Sequence, residues 1–395
     1  MSDNTTPVIL SACRTAIGKY LGGLSSLRAP ELGAIVIREA LRRSGVEAGS
    51  VEEVIMGHVV QGGSGQAPAR QAMIHAGLPG TVPALTVNKV CGSGLKSVML
   101  AAQAVRAGDA ECIVAGGMES MSTAPHYLYG LRGGVKIGDQ TAKDGVILDG
   151  LWDSFGNVHM GGYAEYTAQK ASISRQDQDA FALESHRRAI AAMEACRFSR
   201  EIVPVEVPGK GGPLVVKQDE GPRKDTSLEA LAKLKPAFQK DGTVTAGNAP
   251  GLNDGASALV VTSLAFAKAH GLAPLAKVTA YATGGGEPKD LFFAPIFAVQ
   301  NLMKKAGAAI GDYDLIEANE AFAVQALANG RALGWDWARV NVNGGAIALG
   351  HPIGASGARV LTTLLHAMQD RKAATGLATL CLGGGNAVAL SVEAL

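Results

Sequence analysis

The sequence lacks both an excess of one charge and a long hydrophobic run. Its 36 Lys and Arg residues nearly balance 35 Asp and Glu residues, and the formal net charge is +1. No overall field therefore favours nucleic acid or an acidic membrane surface as a partner. No uninterrupted apolar stretch approaches the roughly 20 residues of a membrane-spanning helix. The N-terminal residues have no basic region followed by an apolar segment, so we expect no secretory signal.

Cysteine is also scarce and irregularly spaced. The five cysteines are an odd number without close pairs, which argues against a disulfide framework and against a zinc site. The glycine-rich runs match neither a phosphate-binding loop nor a dinucleotide fingerprint. We therefore expect a soluble protein of a reducing compartment, the cytoplasm, with no metal and no permanently bound cofactor.

Length and composition indicate a folded chain, and its landmarks indicate an internal duplication. The 395 residues, 47% of them hydrophobic, are expected to form two or three domains. Segments beginning at Ala29 and Ala294 each have a proline near a helix start and a basic pair near its end. A glycine follows (Gly45 or Gly307), and then a strand-like run at the same spacing. Because these landmarks recur in the same order, we interpret the two segments as copies of one unit.

The alternation of apolar strands with helices predicts an α/β fold with mainly parallel sheets covered by helices. Residues 121–250 have no counterpart in the other copy, and they include a helix predicted near 177–194. We interpret them as a large insertion folded over the duplicated core. Insertions of that size usually carry ligand contacts.

Cys91 lies between a strand-like run and a helix rich in small residues, with Gly92 and Gly94 beside it. The glycines allow another molecule to approach the backbone closely. Free backbone N–H groups and the positive end of the helix dipole favour a thiolate at such a position. A buried structural cysteine is the alternative for any single Cys, but the flanking glycines favour a reactive thiol.

Two further groups suit chemistry with that thiol. His351 stands in a glycine-dense turn before the matching helix of the second copy, and imidazole is the usual base that activates a thiol. If a pseudo-twofold axis relates the copies, both helix starts point to the centre and Cys91 and His351 meet. Cys381 ends a strand, and the glycines 383–385 after it can present N–H groups to a developing oxyanion.

Four blocks of the sequence resemble the signatures of the thiolase family, in the family's order and spacing. They are NKVCGSGLK around Cys91, NEAFA at Asn319, GGAIALGHPIGASG around His351 and CLGGG at Cys381. The resemblance implies two similar halves with mixed β-sheets in a five-layer α-β-α-β-α core, plus an inserted loop domain. It places the first half at residues 1–120 and 251–272, the loop domain that binds coenzyme A at 121–250, and the second half at 273–395.

The same resemblance implies the role of each site residue. Cys91 is the nucleophile that becomes acetylated, His351 activates it, and Cys381 moves a proton to or from the carbon α to the thioester. Asn319 holds a water that stabilises the thioester oxygen together with His351. The backbone N–H groups of Cys91 and Gly383 form a second oxyanion site.

Coenzyme A and acetyl-CoA are the implied substrates, and a homodimer or a homotetramer (a dimer of dimers) is the implied assembly. Arg223 matches the family position that pairs with the nucleotide phosphate. The remaining matches are to positions that line the pantetheine and acyl pocket, namely Leu151, His159, Met160, Phe238, Ala246 and Phe322. The His159–Met160 pair resembles acetoacetyl-CoA thiolases more than long-chain degradative ones. The stretch PKDLFFAPIFAV, beginning at Pro288, departs from short-chain biosynthetic members.

The leading hypothesis is an acetyl-CoA C-acetyltransferase, which joins two acetyl-CoA molecules into acetoacetyl-CoA and CoA. The nearest alternative is a 3-ketoacyl-CoA thiolase for longer chains in fatty-acid β-oxidation. A decarboxylating condensing enzyme shares the implied fold, but the second cysteine at Cys381 argues against it. A non-catalytic acyl-CoA or lipid-binding relative would have lost Cys91, His351 or Cys381, and the sequence keeps all three.

Overall fold

The computed structural model describes residues 2–209 and 211–395. The strands are β1 Pro7–Thr15, β2 Gly18–Lys19, β3 Glu53–Gly57, β4 Ala84–Val87, β5 Cys112–Ser120, β6 His126–Leu128, β7 Ala142–Asp144, β8 Trp152–Asp153, β9 Val158–His159, β10 Ile202–Val203, β11 Val205–Val207, β12 Leu214–Val216, β13 Asn253–Ser263, β14 Ala276–Gly285, β15 Leu315–Ala318, β16 Thr375–Leu382 and β17 Asn386–Ala394. The helices are α1 Ala29–Ser44, α2 Pro68–Ala76, α3 Ser93–Ala107, α4 Met160–Lys170, α5 Arg175–Glu194, α6 Leu228–Ala232, α7 Leu264–Ala269, α8 Ala294–Ala306, α9 Ala323–Leu333, α10 Ala346–Leu349 and α11 Ile353–Arg371.

The two halves of the core have the same strand order. In the first half the order is β1-β13-β5-β3-β4, and in the second it is β14-β17-β16-β15. A parallel bridge from Ile316 of β15 to Val340 occupies the place that β4 takes in the first half. The internal duplication is therefore confirmed. The halves join where β1 and β14 pair over two residues each.

The expectation of mainly parallel sheets is wrong, because each half is a mixed sheet. β13 runs antiparallel to both β1 and β5, and β17 runs antiparallel to both β14 and β16. The β3–β5, β3–β4 and β15–β16 pairs are parallel. The reason is visible in the second half, where β16 turns directly into β17 through the glycines 383–385, and a tight hairpin can join only antiparallel strands.

Five layers result, as the resemblance implied. The helices α1 and α2 cover the outer face of the first sheet, while α3 and α11 lie between the two sheets. The helix α8 covers the outer face of the second sheet. Along β1, Val8 and Leu10 face the outer helices whereas Ile9 faces the central layer, which is the two-residue alternation of a strand covered on both sides.

The recurring glycines of the sequence end the equivalent helices. Gly45 follows α1 with φ of +73° and Gly307 follows α8 with φ of +64°. Both are left-handed C-caps, a conformation that glycine adopts without the steric cost of a Cβ atom. The shared spacing thus reflects one helix-to-strand turn used twice.

The insertion contains the predicted helix as α5, Arg175–Glu194, which begins after the capping residue Ser174. The shorter helix α4 was not predicted. The insertion is tied to the core where β10 pairs in parallel with β1, and where Arg14 of β1 bonds Glu201 at 2.7 Å and Asp219 at 2.7 Å. In the described ranges, no helix is both long enough and apolar enough to cross a membrane.

The central helices α3 and α11 touch through glycines. A Cβ atom on Gly94 would lie 2.7 Å from the backbone nitrogen of Ala358, and one on Gly357 would collide with the backbone nitrogen of Leu95. Real Cβ atoms do not approach backbone this closely, so the crossing requires glycine on both helices. This contact sets how near the starts of the two helices come to each other.

We expect Gly357→Ala to lower the free energy of unfolding by about 1–3 kcal/mol, because the added methyl group overpacks a backbone-to-backbone contact. Helix propensity alone would predict the opposite, a more stable variant, because Ala favours the helix more than Gly does. Gly311→Ala is the matched control, since among the described residues no heavy atom lies within 4 Å of its added Cβ. Denaturant titration of both variants measures the difference, and equal stabilities would contradict the close-contact account.

Candidate active site

A cavity of about 360 Å³ lies between the two halves and the insertion. Its wall is mostly apolar, and it brings together the proposed chemical groups Cys91, His351, Cys381 and Gly383. The six residues that were matched to the pantetheine and acyl pocket also line it, namely Leu151, His159, Met160, Phe238, Ala246 and Phe322. Residues distant in sequence therefore share one enclosed space.

Cys91 is presented by a strained turn between β4 and α3. Val90, directly before it, has φ of +46°, a conformation that is costly for a β-branched residue. The side chain of Asn88 accepts a hydrogen bond from the Val90 N–H at 3.0 Å. Ser93 accepts from the Lys89 N–H at 2.8 Å and donates to the Val90 carbonyl at 2.6 Å. These local bonds hold the turn and fix the position of the thiol.

Burial opposes the effect of the helix start on the thiol of Cys91. Burial among apolar groups raises the pKa of the Cys91 thiol to about 12, and the nearby backbone N–H groups of Cys91 and Gly383 offset this only in part. The helix start supplies the expected donors, but removal of water has the larger effect. Cys91 therefore needs a base to become a nucleophile.

His351 is held as a neutral base. Ser356 donates its hydroxyl hydrogen to the Pro352 carbonyl at 2.9 Å, so it must accept from Nδ1 of His351, which lies 2.6 Å away. The proton is thereby assigned to Nδ1, and Nε2 keeps its lone pair. Burial, helped by the charge of Arg359, lowers the pKa of His351 to about 3. The imidazole is therefore uncharged at neutral pH and can accept a proton.

Cys381 and Asn319 complete the polar part of the site. Cys381 is buried at the end of β16, and burial followed by the charge of Cys91 raises its pKa well above the ordinary thiol value. Asn319 follows β15 and lies just behind the cavity wall, where its Nδ2 approaches Nε2 of His351 at 3.4 Å. Its backbone N–H donates to Thr379 of β16 at 3.0 Å. The site thus has two thiols, one neutral imidazole and one amide.

Comparison with known proteins identifies the architecture. The family model described as the thiolase N-terminal domain matches residues 7–265, and the one described as the thiolase C-terminal domain matches residues 272–394. The chain belongs to the thiolase family. It is 58% identical to an acetyl-CoA acetyltransferase of Pseudomonas aeruginosa over 98% of each chain, and 54% identical to one of Escherichia coli over 98% of this chain and 99% of that one.

A solved structure agrees with the fold. The crystal structure of an acetyl-CoA acetyltransferase from Bacillus anthracis superimposes with a TM-score of 0.97 at 42% sequence identity, and the match covers 99% of both chains. The predicted resemblance and the predicted five-layer fold are therefore confirmed for this thiolase.

Aromatic rings form part of the wall of the thiolase cavity. The ring of His159 stacks on Phe238 with centroids 4.9 Å apart, and Phe322 meets Phe238 and Phe292 edge-on at 6.2 Å and 5.2 Å. Nδ1 of His159 accepts the Gly161 N–H at 3.0 Å and so caps α4. His159 therefore acts both as a wall of the cavity and as the start of a helix.

Sequence reasoning missed two residues that contribute to the site, Phe292 and Ser356. Phe292 comes from the PKDLFFAPIFAV stretch, where the departure from short-chain members was the available signal. Ser356 fixes the tautomer of His351. The sequence feature that could have indicated this contact is a hydroxyl residue five positions after a histidine at a helix start. Neither contact could be deduced from local pattern alone, because both depend on how the chain packs.

Arg223 does not reach the wall of this cavity. It borders a separate cleft of about 420 Å³, together with His186, Arg187 and Lys224. The Arg223 N–H donates to Nδ1 of His186 at 3.2 Å, and burial followed by the charge of Arg223 lowers the pKa of His186 to about 4. The cleft therefore carries positive charge from three side chains, although Lys224 is paired with Glu194 and Arg187 with Glu184, each at 2.6 Å. In residues 2–209 and 211–395, no group of three or more His, Cys, Asp or Glu side chains could hold a metal ion.

We expect the alkylation of Cys91 by iodoacetamide to be nearly independent of pH between about pH 5 and pH 9. Between pKa values of about 3 for His351 and about 12 for Cys91, a thiol–imidazole pair and a thiolate–imidazolium pair hold the same number of protons. The reactive fraction then does not change with pH. In His351→Gln the base is gone, and the rate should fall and then rise about tenfold per pH unit, as a free thiol does below its pKa.

The measurement is made in a Cys196→Ser background, because Cys196 is exposed and would also be labelled. Peptide mapping by mass spectrometry follows Cys91, and acetyl-CoA should protect it. A wild-type profile with a midpoint near the ordinary thiol pKa of about 8.5 would contradict the neutral pair.

Proposed function

We propose that this thiolase is an acetyl-CoA C-acetyltransferase, which condenses two acetyl-CoA molecules to acetoacetyl-CoA and CoA and catalyses the reverse thiolysis. The observation that carries the proposal is the enclosure of Cys91, His351 and Cys381 in one apolar cavity. The acetyl-CoA acetyltransferase names of its relatives support the short-chain substrate. The longer-chain alternative is not favoured by any of those names.

In the first half-reaction, His351 takes the proton of Cys91 and the thiolate attacks the thioester carbonyl of acetyl-CoA. The carbon–sulfur bond to CoA then breaks, acetyl-Cys91 forms, and the departing CoA thiolate takes the proton from His351. The backbone N–H groups of Cys91 and Gly383 both lie near the sulfur of Cys91. We assign both as donors to the oxyanion, where one fixed donor contributes roughly 3 kcal/mol.

In the second half-reaction, Cys381 gives its proton to His351, and the Cys381 thiolate then removes a proton from the α-carbon of a second acetyl-CoA. The enolate attacks the carbonyl of acetyl-Cys91, a carbon–carbon bond forms, and the sulfur of Cys91 is released. We assign Asn319, through a bound water, and the protonated Nε2 of His351 to the enolate oxygen. His351 then returns its proton to the sulfur of Cys91, and Cys381 keeps the proton from the α-carbon. Burial raises the pKa of Cys381, so this thiol needs a base in order to ionise.

Coenzyme A would be bound by the inserted residues 121–250. Leu151, His159 and Phe238 from this insertion line the cavity and would contact the pantetheine arm. Arg223, in its cationic cleft, would meet a phosphate of the nucleotide. We also propose, from the family resemblance, a cytoplasmic homotetramer or homodimer.

Thiolysis of a series of 3-ketoacyl-CoA substrates tests the substrate assignment. We expect kcat/KM to be highest with acetoacetyl-CoA and to fall by about tenfold or more at six carbons, since each methylene in a fitted pocket changes the transition-state energy by roughly 1–3 kcal/mol. A maximum at six carbons or beyond would establish the longer-chain alternative instead.

Replacing Cys381 with Ala separates the half-reactions. We expect Cys381→Ala to retain acetylation of Cys91, seen as exchange of labelled CoA into acetyl-CoA, while formation of acetoacetyl-CoA falls by at least about 10²-fold, the lower range for a lost proton carrier. Cys112→Ala is the matched control, because Cys112 is also buried but lies outside the cavity. Undiminished condensation in Cys381→Ala would remove Cys381 from the mechanism.

A further inference from the structure

We propose that Arg359 is a positioning residue, which holds the Asn319 amide so that its N–H side faces His351 and the enolate oxygen. The inference rests on the proposed function, because it assigns a partner to Asn319 in the condensation step. Arg359 lies on α11 and Asn319 directly follows β15, so the contact joins two elements of the second half.

The guanidinium of Arg359 lies close to two residues at the end of β15, Glu317 and Asn319. Nη2 of Arg359 approaches Oδ1 of Asn319 at 3.4 Å, and Nη1 lies 3.6 Å from a carboxylate oxygen of Glu317. Arg359, Glu317 and Asn319 are all almost fully buried. Solvent is thus not available to replace either contact.

The amide of an asparagine can sit in two orientations related by a half-turn, and its surroundings decide between them. A guanidinium has hydrogen-bond donors but no acceptor, so it can bond only to the oxygen of the Asn319 amide. With Oδ1 held by Arg359, Nδ2 faces Nε2 of His351, as the structure has it. In the reverse orientation Oδ1 would face the imidazole lone pair and the developing enolate oxygen, and it would repel both.

The ion pair alone does not account for the arginine. Within the described ranges, neither carboxylate oxygen of Glu317 has a hydrogen-bond partner, and a buried pair with loose geometry gains little stability over apolar packing. Burial also raises the pKa of Glu317 to about 8, which weakens the attraction between the two side chains. Arg359 has a second neighbour in Asn319, and its charge also acts on His351.

Arginine suits the task better than lysine. Its planar fork directs one nitrogen to Glu317 and another to Asn319, whereas an ammonium is a point charge on a flexible stem. Arg359→Lys thus keeps the buried positive charge but loses the fixed second donor. It is the substitution that separates orientation from charge.

The experiment compares the two half-reactions of Arg359→Lys in the full-length enzyme. We expect kcat for acetoacetyl-CoA formation to fall by about 10- to 100-fold, the range for a misaligned oxyanion donor. Exchange of labelled CoA into acetyl-CoA, which uses the backbone donors of Cys91 and Gly383, should change by less than about threefold. Equal loss of both reactions would mean a merely structural role and would overturn the proposal.

A double-mutant cycle tests whether Arg359 acts through Asn319. In an Asn319→Ala background, Arg359→Lys should cause no further loss of condensation, because the amide to be oriented is absent. Independent, multiplying losses would overturn the proposal. Arg14→Lys is the control for disturbing a buried arginine, since Arg14 is equally buried and ion-paired but faces Glu201 and Asp219. It should leave the ratio of condensation to exchange unchanged.

Asn319→Asp gives an independent readout if Arg359→Lys does not fold. A carboxylate beside Arg359 would gain a charged donor, so the thermal midpoint of Asn319→Asp should equal or exceed that of Asn319→Ala. A midpoint far below it, as for an unpaired buried carboxylate, would overturn the contact. If the wild-type enzyme exchanges CoA but forms no acetoacetyl-CoA, the proposed function fails, whereas the midpoints still report on the contact.

Discussion

The site depends on the close approach of two helices that meet through a glycine on each helix. Gly94 of α3 and Gly357 of α11 allow backbone to meet backbone in the central layer. Cys91 stands just before one of these helices and His351 just before the other. Any bulk at the crossing would push the helix starts apart, so the distance between nucleophile and base is set by packing in the core rather than by the loops that carry them.

Exclusion of water then sets the chemistry. The same apolar wall that encloses the substrate raises the pKa of both thiols and lowers that of the imidazole. All three groups are therefore uncharged at rest, and charge appears only when a proton moves between them. Such a site needs fixed donors where negative charge develops, and we propose two backbone N–H groups and the Asn319 amide for that role.

Much of this arrangement could be predicted from the sequence, because duplication is a local signal repeated at long range. The glycines 45 and 307 predicted equivalent helix ends, and the matching positions of Cys91 and His351 predicted that the two would meet. Strand direction could not be read from the pattern of strands and helices, since it depends on where β13 and β17 insert, but the family resemblance implied the mixed sheets that are found. The protonation state of Cys91 could not be deduced either, because the sequence shows the helix start beside the thiol but not the loss of water around it. The roles of the site residues and the domain bounds remain predictions.

The central layer has a consequence for how the molecule unfolds. One hydrophobic cluster contains residues of both sheets, among them Ile113 and Leu259 from the first and Leu380 and Val392 from the second, packed around α3 and α11. Separating the halves would expose this entire cluster to water. We therefore expect neither repeat to fold by itself, and the duplicated core to unfold as one cooperative body despite its internal symmetry.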